Sequence, residues 1–355
     1  MAASPPPLVR APLFEGPVDV VGDIHGEIGA LEQLLERLGY DPQARHREGR
    51  RLVFVGDLCD RGPDSPAVLT RVLEWVDAGR AQCVLGNHEL NLLRHVPKPA
   101  NGWFFDQDHD HARGRFLDCR RVSPGDRTAI VEALGRLPLA LDRADLRIVH
   151  ACWHQPSIDA FERLPFRMPW AKAYEMFETM IEHSWAVNGA SAAMDLAFDR
   201  MEPLLDDPEP FFAHPAFSEE QRAQLALLAE GYESYQMGNP LRVLTSGVEL
   251  RTPVPYFASH RWRVTERVRW WEGYDDIPAI IGHYWRRPPG DAERIEGKPS
   301  LVGDDHTWLG PAARVLCVDF SVGARNGSGK PGDRQPARGA LAAWRSDTAE
   351  LVFDR

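Results

Sequence analysis

Three short apolar runs, each ending in a glycine that is followed by metal-capable side chains, constrain this chain more than any other feature. They end in GDIHG at residues 22–26, GDLCDRG at 56–62 and GNHE at 86–89. Runs rich in β-branched residues that stop at a glycine are typical of buried strands entering loops. Because helical patterns separate the runs, we expect right-handed strand–helix–strand crossovers and a sheet with parallel pairs.

The two intervals between these runs carry the apolar stripes of amphipathic helices. In the first interval the stripe ends just before Gly39, where a left-handed C-terminal cap is expected. In the second, Ser65 is the expected N-cap and Pro66 the expected first helical residue. The two stripes consist of Ile28, Leu31, Leu34, Leu35 and Leu38, and of Val68, Leu69, Val72, Leu73 and Val76.

Strand patterns resume late in the chain, after a long helical interval. In that interval Ser218 and Gln221 form a capping-box pattern, and an aromatic and apolar face repeats with helical spacing. This face consists of Trp170, Tyr174, Phe177, Ile181 and Trp185. Further strands are predicted over residues 146–151, 279–283, 314–319, 340–344 and 350–353. We therefore expect an N-terminal tail (1–16), a core (17–154 and 276–355) and a mostly helical insertion or cap (155–275).

Charge and cysteine content exclude several kinds of partner. The formal net charge is −11, from 41 basic and 52 acidic residues, whereas binding to a nucleic-acid backbone depends on clustered excess lysine and arginine. No run approaches the roughly 18 apolar residues of a membrane span, and the N-terminus has no leader pattern. Five widely spaced cysteines without a C-x-x-C pair favour reduced thiols. We expect a cytoplasmic protein that binds neither long nucleic acid nor membrane.

The polar residues at the strand ends are of types that bind metal ions. Ligands gather outside the carboxyl ends of strands in open α/β sheets, so we expect the three motifs to meet at one edge. Asp23 and His25 are two residues apart and can face one ion from an extended loop start. Asp57 can add a carboxylate that bridges to a second ion.

The three motifs resemble those of the calcineurin-like metallophosphoesterases, in particular the phosphoprotein phosphatase branch that includes bacterial diadenosine tetraphosphatases. Two later histidines that follow apolar runs extend the resemblance: His150 in RIVHAC and His283 in AIIGHYW. The resemblance spans residues 17–320 and says little about residues 155–275. It implies an α/β fold with a two-layered β core, flanked by helices and interrupted by a largely helical cap.

The resemblance also implies a role for each polar side chain. Arg61 would grip a phosphate group, which Asn87 would also contact. His88 would donate a proton, and Asp60 would orient its ring. The implied ligands are Asp23, His25 and Asp57 for a first metal ion, and Asp57, Asn87, His150 and His283 for a second.

Such a site suits two divalent cations. Mixed imidazole, carboxylate and amide ligands fit Mn, Fe or Zn better than calcium, and we expect Mn, with Fe or Zn as alternatives. Two divalent ions carry a charge of about +4, and the carboxylates of Asp23 and Asp57 contribute only −2. The site would therefore stay positive within an acidic protein and could bind an anionic substrate.

The expected reaction is hydrolysis of a phosphate monoester by a hydroxide that bridges the two ions. The expected substrate is a protein phosphorylated on Ser or Thr, and the alternative is a nucleotide or dinucleoside polyphosphate. A catalytically inactive metal-binding regulatory module is a remote third interpretation. The oligomeric state and a second phosphate-binding arginine stay open, the candidates being Arg261, Arg263, Arg286 and Arg287.

Overall fold

The strand-end motifs lie in a computed structural model that describes residues 7–98, 100–105, 119–207, 218–258, 261–288, 301–303, 306–326, 335 and 338–355. Its strands are β1 (Arg10–Pro12), β2 (Val18–Val21), β3 (Arg51–Phe54), β4 (Ala81–Cys83), β5 (Ala140–Arg143), β6 (Leu146–Val149), β7 (Glu249–Ala258), β8 (Arg261–Arg267), β9 (Ala279–Ile281), β10 (Val315–Cys317), β11 (Ala342–Arg345) and β12 (Leu351–Phe353). Its α-helices are α1 (Ile28–Leu38), α2 (Ser65–Asp77), α3 (Asn87–Leu93), α4 (Gly102–Phe105), α5 (Pro124–Leu134), α6 (Gln155–Glu162), α7 (Trp170–Val187), α8 (Ser191–Met201), α9 (Glu219–Gly238) and α10 (Pro240–Ser246).

Two five-stranded sheets form the core. The first has the order β12-β11-β2-β3-β4, and the pairs β2–β3 and β3–β4 are parallel. The second has the order β1-β5-β6-β9-β10. Val20 and Val53 of the first sheet share a buried cluster with Ile148 and Ile280 of the second. These observations confirm the predicted α/β fold with parallel pairs and a two-layered β core.

The helices between the first strands form as their apolar stripes predict, with one correction at a cap. Gly39 ends α1 with φ 88°, the expected left-handed conformation. The N-cap of α2 is Asp64, whose carboxylate accepts from the backbone N–H of Ala67 at 2.9 Å. The prediction of Ser65 was wrong, because its hydroxyl instead accepts from the backbone N–H of Asp60 at 2.9 Å.

The segment expected to be an N-terminal tail contributes a strand. Residues 10–12 form β1, which pairs in parallel with β5 at the edge of the second sheet. Pro12 lacks a backbone N–H and is therefore suited to an edge strand. Arg10 adds an ion pair to Asp142 at 3.0 Å. The sequence did not indicate this strand, because its partner β5 lies far away along the chain, and the boundary at residue 16 stays a prediction.

The region of the predicted insertion contains helices α6 to α10 and also a hairpin that the sequence did not predict. The capping box of Ser218 and Gln221 begins α9, as expected. Strands β7 and β8 pair antiparallel, with a register shift between Arg251 and Tyr256. Two prolines in β7 argue against a strand, and a two-stranded ribbon tolerates them because each strand has a free edge. The boundaries at 155 and 275 stay a prediction.

The base of this region shares the main hydrophobic core. Trp170, Tyr174 and Phe177 of α7 are buried in the same cluster as the leucines of α1. A smaller cluster joins α8, α9 and β8. None of the described helices has the length and apolar character to cross a membrane. The five cysteines are free.

Candidate metal centre

The candidate site lies where the chain leaves the parallel strands. The backbone there is unusual, because several non-glycine residues adopt left-handed conformations: His25 (φ 48°), Asp57 (50°), Asp60 (71°), Arg61 (70°) and His283 (65°). Such conformations are costly and persist only where the surroundings hold them. The loops therefore aim these side chains at one place at the expense of local backbone energy.

All nine predicted side chains lie in one connected group. Each has at least one polar atom within 4 Å of a polar atom of another member, and Arg61 links His88 and Asp60 to the rest. The members are Asp23, His25, Asp57, Asp60, Arg61, Asn87, His88, His150 and His283.

The first part of the group surrounds His25. Its Nδ1 donates to the carbonyl oxygen of Cys59 at 3.0 Å, which leaves Nε2 with its lone pair when the ring is neutral. That Nε2 lies 3.9 Å from carboxylate oxygens of both Asp23 and Asp57. It also accepts from the Arg61 guanidinium at 2.7 Å. A nitrogen lone pair and two carboxylates thus converge on one point.

The second part surrounds His150. Its Nδ1 donates to the carbonyl oxygen of Val55 at 2.7 Å, so Nε2 of the neutral ring is an acceptor. This Nε2 faces two further acceptors, Oδ1 of Asn87 at 3.2 Å and Oδ1 of Asp57 at 3.3 Å. Oδ1 of Asn87 in turn lies 2.9 Å from Nδ1 of His283. Nε2 of a neutral His150 and an ionised Asp57 both accept, so this pair is favourable only when a proton or a metal ion lies between the two atoms.

The electrostatic surroundings of these groups support the same requirement. Burial by itself disfavours a charged ring, but the Asp57 and Asp23 carboxylates raise the pKa of His150 to about 10. Burial, together with the nearby Asp319 carboxylate, raises the pKa of Asp23 well above its usual range. A divalent cation would satisfy the same surplus of negative charge. The donor set therefore fits a metal ion.

Potential ligand atoms fall into two sets that share Asp57. One is Asp57, His150 and His283, and the other is His25, Asp57 and His88. The second set contains His88 where the resemblance implied Asp23. Asp23 is nevertheless close by, since its carboxylate accepts from the backbone N–H of His283 at 3.1 Å.

His88 differs from His25, His150 and His283 because its Nδ1 lies beside a carboxylate. Its Nδ1 lies 2.5 Å from Oδ2 of Asp60, whose Oδ1 accepts from the indole N–H of Trp103 at 2.7 Å. Burial opposes the charged ring, but the Asp57 carboxylate and the hydrogen bond that Nδ1 donates to Asp60 raise the pKa of His88 above its usual value. Nε2 of this ring lies 3.2 Å from a guanidinium nitrogen of Arg61, which can donate to it only while Nε2 carries no proton. The arrangement suits a residue that holds a proton for transfer.

Sequence reasoning missed a fully buried carboxylate that supports the site. One oxygen of Glu89 accepts from the backbone N–H of Asp57 at 2.9 Å and that of Gly86 at 3.1 Å. The other accepts from the N–H of Leu58 at 2.8 Å. A side chain on Gly86 would overlap Oδ1 of Asp57, so this loop packs directly against the Asp57 carboxylate. The signal was present, because Glu89 is the last residue of GNHE.

Three further residues near the site also escaped prediction. Trp103 lies on α4, and its indole N–H donates a hydrogen bond to Asp60. Asp319 is fully buried and follows β10, which repeats the pattern of a carboxylate after a strand end. Trp285 is 38% exposed, and its ring centroid lies 4.9 Å from the guanidinium carbon of Arg61. Only the position of Asp319 carried a sequence signal of the kind used for Asp23 and Asp57.

Two of the four candidates for a second phosphate-binding arginine are engaged elsewhere. Arg286 is fully buried and donates to the carbonyl oxygen of Thr307 at 2.6 Å. Arg261 forms an ion pair with Glu202 at 3.0 Å. Neither contact involves the nine site residues.

Comparison with known proteins identifies the class of the site and then the family. Two stacked sheets with imidazoles and carboxylates at the strand ends are the arrangement of a metal-dependent phosphoester hydrolase. Residues 16–207 match the sequence model of the calcineurin-like phosphoesterases, which is more than half of the chain. The chain belongs to this family, whose members typically depend on two metal ions.

Among its relatives are enzymes named for nucleotide substrates. The chain is 31% identical over 185 residues to the asymmetrical bis(5'-nucleosyl)-tetraphosphatase PrpE of Bacillus velezensis, an alignment that covers 44% of this chain and 72% of the relative. It is 42% identical over 77 residues to the symmetrical bis(5'-nucleosyl)-tetraphosphatase of Ralstonia nicotianae, which covers 22% of this chain and 24% of the relative. A cold-active protein-tyrosine phosphatase of a psychrophilic Shewanella species is similar at 14% identity and a TM-score of 0.42, with 99% of this chain and 83% of that chain covered. That likeness is too weak to bear on function.

Proposed function

We propose that this chain hydrolyses nucleoside or dinucleoside polyphosphates. The observation that carries the proposal is the 185-residue alignment with a tetraphosphatase, of which it covers 72%. This favours the alternative substrate class over the phosphoprotein that the motifs first led us to expect. Those motifs serve either substrate, because they address only the phosphate group that reacts.

The proposed metal ligands are the side chains named from the motifs: Asp23, His25 and Asp57 for one ion, and Asp57, Asn87, His150 and His283 for the other. When bound, two divalent ions supply an ionised water at neutral pH and compensate the charge of the phosphate oxygens. The convergence of acceptors on His25 and on His150 supports this assignment.

Arg61 is proposed to bind the reacting phosphate, with Asn87 beside it. Its guanidinium lies 2.7 Å from Nε2 of His25 and 3.2 Å from Nε2 of His88. Its planar fork matches two phosphate oxygens. A metal ion bound to Nε2 of His25 would require Arg61 to donate its hydrogen bond to another acceptor. A phosphate group provides that acceptor. The ring of Trp285 lies beside the guanidinium.

His88 is proposed as the proton donor. In hydrolysis of a phosphoanhydride, the oxygen of the ionised water, which has already lost its proton to solvent, forms a bond to phosphorus while the bond to the bridging oxygen breaks. The proton on Nε2 of His88 passes to that departing oxygen. Asp60 keeps Nδ1 protonated and fixes the ring, and Trp103 fixes Asp60, so the donor is oriented before the substrate binds.

A substrate screen tests the proposal. The protein is loaded with Mn²⁺ and supplied separately with phosphoserine peptides, mononucleotides and dinucleoside polyphosphates, and kcat/KM is measured for each. We expect kcat/KM for a dinucleoside polyphosphate to exceed that for any phosphopeptide by more than about tenfold, which corresponds to about 1.4 kcal/mol in transition-state binding. A preference of that size for a phosphopeptide would overturn the proposal.

A further inference from the structure

Helix α3 connects the candidate site with a group of positively charged side chains. Asn87 and His88 stand in its first turn, and Arg94 follows its last residue. Seven residues correspond to nearly two full turns, so Arg94 lies on the same face of the helix as Asn87. A rise of about 1.5 Å per residue places Arg94 about 10 Å from Asn87 along the axis.

An aromatic ring holds two of these cations. The guanidinium carbon of Arg94 lies 3.4 Å from the ring centroid of Tyr174, and that of Arg242 lies 5.2 Å from the same centroid. Arg242 also donates to Glu178 at 3.1 Å. Arg94 makes no ion pair within the part of the chain that the structure describes. The ring orients Arg94 without neutralising its charge.

Lys98 completes the group. It is exposed, and it too forms no ion pair with a described carboxylate. Burial of part of its side chain and repulsion from Arg94, Arg242 and Arg261 lower the pKa of Lys98. The charge of Arg261 is compensated by Glu202 at 3.0 Å and Asp206 at 3.6 Å. Three cations, Arg94, Lys98 and Arg242, thus stand close together in a chain of net charge −11, against the two nearby carboxylates of Glu175 and Glu178.

We propose that Arg94, Lys98 and Arg242 form a second anion subsite, which binds the phosphate chain of the substrate beyond the phosphate that is cleaved. This inference rests on the proposed function, because only a substrate with several linked phosphates can reach both the metal centre and this subsite. A phosphate monoester with a small leaving group would occupy the metal centre alone. A cluster of like charges relieves its repulsion by binding an anion that carries several charges.

Competition by inorganic tripolyphosphate tests the subsite without a nucleotide. Hydrolysis of p-nitrophenyl phosphate is followed with Mn²⁺ held in excess, and inhibition constants are measured for tripolyphosphate and for orthophosphate. In Lys98→Gln we expect the constant for tripolyphosphate to rise about fivefold to tenfold and that for orthophosphate to change less than twofold. Lys98→Arg should restore most of the difference. The matched control is Lys172→Gln, an exposed lysine on α7 two residues from Tyr174 and so on another side of that helix.

The outcomes separate the subsite from the proposed function. If Lys98→Gln shifts both inhibition constants equally, or neither, the subsite does not exist, whichever nucleotides the wild-type protein cleaves. If the tripolyphosphate constant alone shifts, the subsite stands, even should the substrate screen favour phosphopeptides. A loss of kcat/KM for diadenosine tetraphosphate, with hydrolysis of p-nitrophenyl phosphate unchanged in the same variant, would support both. An equal effect of Lys172→Gln would show a general charge effect and overturn the assignment to Lys98.

Discussion

Oε2 of Glu89 accepts a hydrogen bond from the backbone N–H of Asp57, at 2.9 Å. The contact joins the first turn of α3 to the loop that follows β3, and so joins two of the three motifs. The carboxylate of Glu89 is otherwise engaged by Gly86 and Leu58, and it has no exposure to solvent. It therefore holds the backbone of a proposed metal ligand in its left-handed conformation.

Glu89→Gln should destabilise the protein and weaken metal binding together. An amide has one acceptor oxygen, and its NH₂ group would face backbone N–H groups that also donate. Leaving buried donors unsatisfied costs about 1–3 kcal/mol. Denaturant unfolding measures the stability, and titration with Mn²⁺ measures the affinity.

Glu36→Gln is the control for this change, because Glu36 is exposed on α1 and makes none of these contacts. We expect no measurable change in either quantity there. Unaltered Mn²⁺ affinity in Glu89→Gln would contradict the role of Glu89 in holding Asp57.

His88→Ala should slow the hydrolysis of substrates with poor leaving groups more than that of activated ones. A proton donor contributes about 10²–10⁴-fold when the leaving oxygen is strongly basic. We expect about a 100-fold loss or more in kcat for an alkyl phosphate and less than about tenfold for p-nitrophenyl phosphate. Steady-state kinetics on the two substrates measure the ratio.

The variant His183→Ala provides a comparison, since His183 is an exposed residue of α7. It should leave both rates unchanged. Equal losses for the alkyl and aryl substrates in His88→Ala would exclude proton donation and point to metal binding by His88, as its position near His25 and Asp57 would allow.

Trp103→Phe should reduce hydrolytic activity. The loss should be larger than the accompanying loss of folding stability can explain. The substitution keeps an aromatic ring in the core and removes the hydrogen bond to Asp60. Groups that orient catalytic or ligating residues typically contribute about 10-fold to 100-fold to activity. We expect a loss of this size for the alkyl phosphate.

Trp170→Phe is a matched control. Trp170 is also buried, and its indole N–H donates to the carbonyl oxygen of Leu137 at 2.9 Å, away from the site. Each substitution removes one hydrogen bond, worth about 1 kcal/mol of stability. If both variants lose activity in proportion to stability, Trp103 has no role beyond packing.

Asp57→Asn should abolish hydrolysis and remove the stabilisation that metal ions provide. Asp57 lies in both sets of potential ligands, so loss of its charge affects both ions. For the wild-type protein, Mn²⁺ at about 100 times its Kd should add about 2.7 kcal/mol to the free energy of unfolding, and a chelator should reverse this. Thermal unfolding with and without Mn²⁺ measures the effect, and elemental analysis measures the bound metal.

Asp77→Asn serves as the reference, because Asp77 is an exposed residue that pairs with Arg136 on the surface. It should keep full activity and the full Mn²⁺-dependent stabilisation. Unchanged turnover in Asp57→Asn would refute the proposed mechanism.

The sequence predicted the parallel strands, the first two helices and the polar motifs at the strand ends because these depend on local patterns. A run of apolar residues that stops at Gly-Asp determines a strand end, and strand ends of one parallel sheet meet. His150 and His283 were found only through the family resemblance, since a histidine after an apolar run is by itself a weak signal. Their contacts with Asn87 place them in the same group as the motif residues.

Tertiary structure alone decided which groups hold the site in place. Trp103 reaches Asp60 across 43 positions of the chain, and no local pattern marks that pairing. Tertiary contacts also decided the N-cap of α2. The Ser65 hydroxyl does not cap the helix because it accepts a hydrogen bond from the backbone N–H of Asp60. The sequence by itself determined which atoms could bind metal and phosphate, because that is a property of residue type and strand position. How each of those atoms is aimed depends on hydrogen bonds and packing between distant segments, and these exist only once the chain has folded.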